Sequence, residues 1–132
     1  MTTELAALAL AILWQGVQYV LVSIPANREL GTQVTLAPRD DGPLANKVCA
    51  RTARLSRALD NHATALTLFA PAVLLVVITD KGSALTGMLA FAYLAARVVY
   101  VPAYAFGWQP WRSVFWMVGF AATMALATVS LL

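Results

Sequence analysis

The apolar residues of this chain form four long stretches that are separated by short polar segments. A helix needs about 20 mostly apolar residues to cross a hydrocarbon core roughly 30 Å thick. Each of the four stretches is long enough, and together they predict membrane spans over residues 5–24, 44–79, 84–106 and 112–132. The pattern therefore predicts an all-α integral membrane bundle of four helices, in a single domain that covers residues 1–132.

The second span changes character halfway along its length. It begins with charged, amphipathic sequence, whereas residues 66–78 are apolar. We therefore predict one long helix that starts in water and then enters the membrane, where neighbouring helices can accommodate Pro71. Pro25, together with Asn27, is expected to end the first span, because proline cannot donate a backbone hydrogen bond inside a helix.

Composition supports the membrane assignment. The chain is 61% hydrophobic and only 11% charged, against roughly 45–50% and about 25% in a soluble domain. Its one cysteine, Cys49, excludes an internal disulfide and a multi-cysteine metal site. His62 has no carboxylate or cysteine at ligand spacing, so no metal site is predicted.

Basic residues are concentrated between the first two spans. Six of the nine lysines and arginines lie between Arg28 and Arg57, and Arg112 flanks the third loop, whereas Lys81 in the second loop is matched by Asp80. The positive-inside rule then places loops one and three in the cytoplasm and both termini outside. A basic segment between two apolar spans is expected to face anionic membrane lipid rather than nucleic acid.

Polar residues form a stripe along the second span. Arg54, Arg57, Asn61 and Thr64 follow one another at spacings of three or four residues, so they share one face of a helix. One interpretation is a solvated helix start, stabilised by a pair such as Arg57 with Asp60. The other is a binding site, because Asn61 lies where the sequence becomes apolar and a buried amide needs partners.

A second polar face lies on the third span, where Tyr93, Arg97, Tyr100 and Tyr104 are spaced for one side of a helix. An arginine costs about 2.5 kcal/mol or more at the centre of a membrane helix, so Arg97 is expected to point into the bundle toward polar partners. The alternative is that Arg97 extends to the cytoplasmic interface and the tyrosines act as interfacial anchors.

Three stretches of the sequence carry a family resemblance: APRDDGP, RTARLSRALDNHATALTLFAPAVLL and AARVVYVPAYAFGWQPWR. They resemble the bacterial branch of the membrane-associated proteins in eicosanoid and glutathione metabolism, the MAPEG family. The most specific elements are the Arg-Ala-x-x-Asn run that ends at Asn61 and the Arg-x-x-Tyr-x-x-x-Tyr run that ends at Tyr104. The resemblance in layout extends over nearly the whole chain.

The resemblance implies a homotrimer in the bacterial inner membrane, with glutathione as co-substrate between neighbouring subunits. It implies a glutathione transferase or peroxidase that acts on a lipophilic small molecule, either an electrophile or a hydroperoxide, which arrives from the bilayer. The residues that would carry over are Arg54, Arg57, Asn61, Thr64 and Arg97 for glutathione binding and Arg112, Tyr100 and Tyr104 for catalysis.

One position departs from the family pattern. Thr64 stands where glutathione-using members commonly carry an acidic residue that pairs with the glutathione amine. Loss of that partner weakens or abolishes glutathione binding, so a second hypothesis is a non-catalytic lipid-binding or scaffold protein of the same fold. A small multidrug transporter would need a carboxylate in the first span, and residues 5–24 contain none.

Overall fold

Four long helices make up most of the protein in a computed structural model that describes residues 1–132. All four are long and apolar enough to cross a membrane, and the chain contains no strands. This confirms the predicted all-α four-helix membrane bundle. The helices are α1 (Thr3–Leu30), α2 (Ala50–Ile78), α3 (Ala84–Ala105) and α4 (Trp111–Val129).

Helix α1 does not end at Pro25, so that expectation was wrong. Pro25 lies inside the helix, which continues to Leu30 and stops at Gly31, where φ is +78° and the backbone N–H bonds to the Asn27 carbonyl at 2.9 Å. A proline inside a helix removes only one backbone donor, and the other bonds of the turn continue past it. Glycine is the residue that takes the positive φ at the stop without strain.

Helix α2 begins later than the predicted residue 44. The segment before it forms a separate 3-10 turn, Leu44–Asn46, and Cys49 is extended. Cys49 has no side-chain oxygen to cap the helix, and the Glu29 carboxylate from the end of α1 takes that role. It accepts bonds from the Cys49 backbone N–H at 2.6 Å and from the Thr52 hydroxyl at 2.5 Å.

The helices pack so that α2 and α3 each contact all the others extensively, whereas α1 and α4 contact each other little. The larger core cluster lies near the α2–α3 turn, where Phe69 stacks on Tyr93 with ring centroids 3.7 Å apart. Outward-facing apolar side chains such as Leu13, Leu85 and Met117 are exposed on the bundle surface, as expected for contact with lipid.

A smaller core cluster of Ala58, Tyr100 and Val101 lies toward the other end of the bundle. We call this the basic end, because the first loop and the Phe106–Pro110 connection meet there with most of the arginines. The thinner packing leaves space between α2, α3 and α4 at the basic end, and the candidate site occupies that space.

Candidate functional site

An open cavity of about 470 Å³ lies between α2, α3 and α4 at the basic end. It combines cationic, amide and hydroxyl side chains with an apolar wall from α4. The polar lining is Arg57 and Asn61 from α2, Tyr100 and Tyr104 from α3, and Arg112 and Ser113 from α4. Two faces that the sequence placed on separate helices therefore converge on one cavity.

Two smaller compartments continue the cavity in opposite directions. The shallow compartment, of about 190 Å³, shares Arg57, Tyr104 and Arg112 with the main cavity and adds Arg54 beside the Gly107–Gln109 turn. The deep compartment, of about 180 Å³, shares Asn61 and Trp116 with the main cavity and adds side chains from all three helices. These additions are Thr64, Ala65, Leu68, Arg97, Phe120 and Thr123.

We call the three compartments, which adjoin through these shared lining residues, the groove. All eight side chains that the resemblance pointed to lie along the groove. They are Arg54, Arg57, Asn61, Thr64, Arg97, Tyr100, Tyr104 and Arg112. The periodicity of α2 and α3 explains the convergence, because residues three or four positions apart lie on one helix face.

Arg97 points into the bundle and does not extend to the interface. Only 2% of the residue is exposed, and Nη1 donates a hydrogen bond of 3.0 Å to Asn61 Oδ1. The guanidinium carbon also lies 5.3 Å from the Tyr93 ring centroid and 5.8 Å from that of Tyr100. A desolvated cation can gain about 2 kcal/mol from aromatic faces at such distances. The alternative that Arg97 extends to the cytoplasmic interface is therefore wrong.

Gly119 on α4 makes room for the Arg97 guanidinium, and sequence reasoning missed this residue. A Cβ placed on Gly119 would lie 3.1 Å from Arg97 Nε and 3.3 Å from Nη2. Only glycine fits such a close approach without displacing the arginine. The signal in the sequence was the single glycine of the fourth span, because small residues in a membrane helix are typical of close helix packing.

Three guanidinium groups gather around Tyr104 at the shallow end of the groove. The Arg112 and Arg57 carbons lie 4.9 Å and 5.9 Å from the Tyr104 ring centroid. Arg54 Nη1 donates a bond of 3.5 Å to the Ala105 carbonyl nearby. Arg57 and Asp60 do not form the ion pair that the sequence suggested. The one ion pair in the structure joins Lys47 and Asp41.

Two further polar residues of α2, Thr64 and His62, form hydrogen bonds away from the Tyr104 ring. The Thr64 hydroxyl donates to the Asp60 carbonyl of its own helix at 3.0 Å. His62 faces away from the groove and is 1% exposed, with Nδ1 2.8 Å from Gln18 Nε2 of α1. His62 therefore joins α1 to α2 and takes no part in the groove.

The groove is suited to binding an anionic, partly apolar molecule. Arginine guanidinium groups bind carboxylates through paired hydrogen bonds. Tyr100 and Tyr104 add hydroxyl groups, and Trp116 and Phe120 provide an apolar wall that begins inside the groove and is exposed on the lipid-facing side of α4.

Comparison with known proteins identifies the family. No curated protein and no solved structure matches the chain significantly. The model of the MAPEG family matches residues 6–132, which is nearly the entire chain. With four apolar helices, the molecule is a multi-pass membrane protein, and it belongs to the MAPEG family.

Proposed function

We propose that this protein is a glutathione-dependent membrane transferase or peroxidase that acts on lipophilic electrophiles or hydroperoxides. The observation that carries the proposal is the convergence of Arg57, Asn61, Tyr100, Tyr104 and Arg112 on one open cavity. Cations and hydroxyl donors are grouped there beside an apolar wall, which is the combination needed to bind a hydrophilic thiol next to a hydrophobic partner.

The α2 side of the cavity is suited to binding a carboxylate. The Arg57 guanidinium offers paired donors that match carboxylate geometry. Arg97 fixes Asn61 by bonding to its Oδ1, and the Asn61 amide nitrogen remains as a further donor toward the ligand. The anionic groups of glutathione therefore fit the residues present in this part of the groove.

The α3 and α4 side of the cavity is suited to holding a thiolate. Bound glutathione would supply the thiol. Its sulfur would form a bond to an electrophilic carbon as the leaving group and the thiol proton depart, or would take an oxygen from a hydroperoxide to give the alcohol and a sulfenic acid, which a second glutathione converts into the disulfide and water. A positive charge and hydrogen-bond donors favour the thiolate over the thiol, and the thiolate is the nucleophile. Arg112 supplies the charge, and the hydroxyl of Tyr100 or Tyr104 donates to the sulfur.

The second substrate would enter from the bilayer. Trp116, Met117 and Phe120 lie on the outer face of α4 and also line the groove, so an apolar molecule can pass from lipid to the cavity without crossing water. Leu68 and Ala65 extend the same apolar wall toward the membrane interior.

We further propose a homotrimer in the bacterial inner membrane, with the basic end in the cytoplasm and both termini outside. In a single protomer, four polar residues are exposed along one side of α2: Arg57, Asp60, Thr64 and Thr67. Polar side chains on a membrane helix favour association with a neighbouring helix over exposure to lipid. A second copy placed against this side would close the groove.

The test combines binding and turnover in detergent-solubilised protein. We expect glutathione to bind by calorimetry and to be consumed with chlorodinitrobenzene or cumene hydroperoxide. Arg112→Gln should lower kcat by about tenfold or more, because a hydrogen bond to a charged group is worth about 1.5–3 kcal/mol. Folded protein that neither binds glutathione nor consumes it would refute the proposal and favour the lipid-binding or scaffold alternative.

A further inference from the structure

The charges of the groove point to the kind of thiol that it binds. Building on the proposed function, we infer that the groove recognises a thiol through its anionic groups and disfavours a free ammonium group on the ligand. The preferred co-substrate class is then a small anionic thiol whose amine is acylated or absent, rather than glutathione with its free γ-glutamyl amine.

Every charged side chain that lines the groove is an arginine. Arg54, Arg57 and Arg112 surround the shallow compartment, and Arg97 lies in the deep one. The main cavity between them is lined by Arg57 and Arg112. A molecule that fills the main cavity therefore contacts the lining that holds these two guanidinium groups.

The six carboxylates of the chain lie elsewhere. Glu4 and Asp80 are at the opposite end of the bundle, and Glu29 is bonded to Cys49 and Thr52. Asp40 and Asp41 are in the first loop, where Asp41 pairs with Lys47. Asp60 is on α2 but is exposed and does not line the groove.

The two tyrosine rings beside the polar residues of the main cavity are already used by arginines, and the other aromatic rings, Trp116 and Phe120, belong to the apolar wall. Tyr104 lies under Arg57 and Arg112, and Tyr100 lies under Arg97. Within one protomer, a ligand ammonium on the tyrosine side of the groove would lose its water and gain neither a carboxylate nor a free tyrosine ring. It would also be repelled by the guanidinium groups, whose field is weakly screened in a partly buried site.

Acylating the amine removes this penalty and leaves both carboxylates and the thiol unchanged. We therefore expect N-acetylglutathione, acetylated on the γ-glutamyl amine, to bind at least as tightly as glutathione and about threefold to tenfold more tightly at low salt. Esterifying both carboxylates should instead weaken binding by about tenfold or more, because the charge-assisted bonds to arginine are lost.

The experiment is calorimetric titration of the full-length protein in detergent micelles with glutathione, N-acetylglutathione and the glutathione diethyl ester. Tighter or equal binding of the acetylated thiol, together with weaker binding of the diethyl ester, supports the inference. Weakening by threefold or more on acetylation, or undiminished binding of the diethyl ester, overturns the inference alone, since glutathione still binds. Failure of all three thiols to bind folded protein overturns the proposed function as well.

Three variants test which residues determine the binding of glutathione and N-acetylglutathione. Arg57→Gln should weaken glutathione and N-acetylglutathione alike, whereas Lys81→Gln removes the same charge at the opposite end of the bundle and should change neither. Asp60→Asn should leave the ratio of the two dissociation constants unchanged. A shift of that ratio by threefold or more in Asp60→Asn would show that a carboxylate meets the ligand amine, and would overturn the inference.

Discussion

Arg97 Nη1 and Asn61 Oδ1 are joined by a hydrogen bond of 3.0 Å that links α3 to α2 at the inner wall of the groove. Arg97 is buried, and Asn61 lines both the main cavity and the deep compartment. The bond thus connects a residue that stabilises the bundle with a residue that faces the ligand.

A double-mutant cycle should detect this bond. Arg97→Met and Asn61→Leu each remove one partner, and each is expected to destabilise the protein by about 1–3 kcal/mol because a buried polar group loses its partner. The double variant should cost less than the sum by about 1–2 kcal/mol. Thermal or denaturant unfolding in detergent gives these values, and strict additivity would show that the two side chains do not interact.

Gly119 and Gly16 form a matched pair for testing the space around Arg97. Gly119→Ala should lower stability by about 1–3 kcal/mol, because Arg97, held by its bond to Asn61, has to shift by a few tenths of an ångström to admit the new methyl group. Gly16→Ala, also inside a long helix but with nothing within 4 Å of its Cβ, should raise stability by about 0.5–1 kcal/mol. Equal effects on the melting temperature would contradict the close approach of Gly119 to Arg97.

The sequence predicted the four spans and the two polar faces because both depend on local periodicity. Leucine-rich runs and residues spaced three or four apart identify a helix and its face regardless of tertiary structure. The orientation of Arg97 into the bundle could also be predicted, because exposing a cation to lipid costs free energy.

Features that depend on distant pairs could not be predicted. Glu29 caps α2 from the end of α1, 20 residues earlier in the chain than Cys49. Arg57 pairs with the Tyr104 ring on another helix rather than with the nearby Asp60. Neither partner has a signal in the local sequence, because the loop conformation and the packing of α2 on α3 decide which side chains meet.

Glu29 should be required for the start of α2. Glu29→Ala removes the acceptor for the Cys49 backbone N–H and the Thr52 hydroxyl, so the first turn of α2 loses its cap and should open more often. Hydrogen exchange of the first turn of α2 and the unfolding midpoint both report on this change. Asp40→Ala, a loop carboxylate of the same charge, is the control and should leave both quantities unchanged.

Cys49 should be accessible only from the cytoplasm. Its side chain is exposed at the basic end, and the positive-inside rule places that end in the cytoplasm. A membrane-impermeant maleimide should leave Cys49 unlabelled in intact cells and label it in inverted vesicles. A Lys81→Cys variant in a Cys49→Ser background should show the opposite pattern, and labelling of Cys49 in intact cells would reverse the topology.

Thr64→Glu should convert the groove into one that prefers a free amine. Thr64 and Arg97 line the same deep compartment, so the new carboxylate has a cationic neighbour even without ligand. We therefore expect little loss of stability, in contrast to the destabilisation that burial of an unpaired carboxylate would cause.

The same carboxylate would offer a partner to the glutathione ammonium and would repel the carboxylates of an acylated thiol. A charge-assisted bond of about 1.5–3 kcal/mol corresponds to a change of about tenfold to a hundredfold in affinity, and competition from Arg97 should keep the effect near the lower figure. The measurement is the ratio of the dissociation constants of glutathione and N-acetylglutathione, which should shift about tenfold toward glutathione. Thr67→Glu is the matched control, because Thr67 is exposed on α2 but lines none of the three compartments. An unchanged ratio in Thr64→Glu, or an equal shift in Thr67→Glu, would show that the ligand amine does not approach the deep compartment.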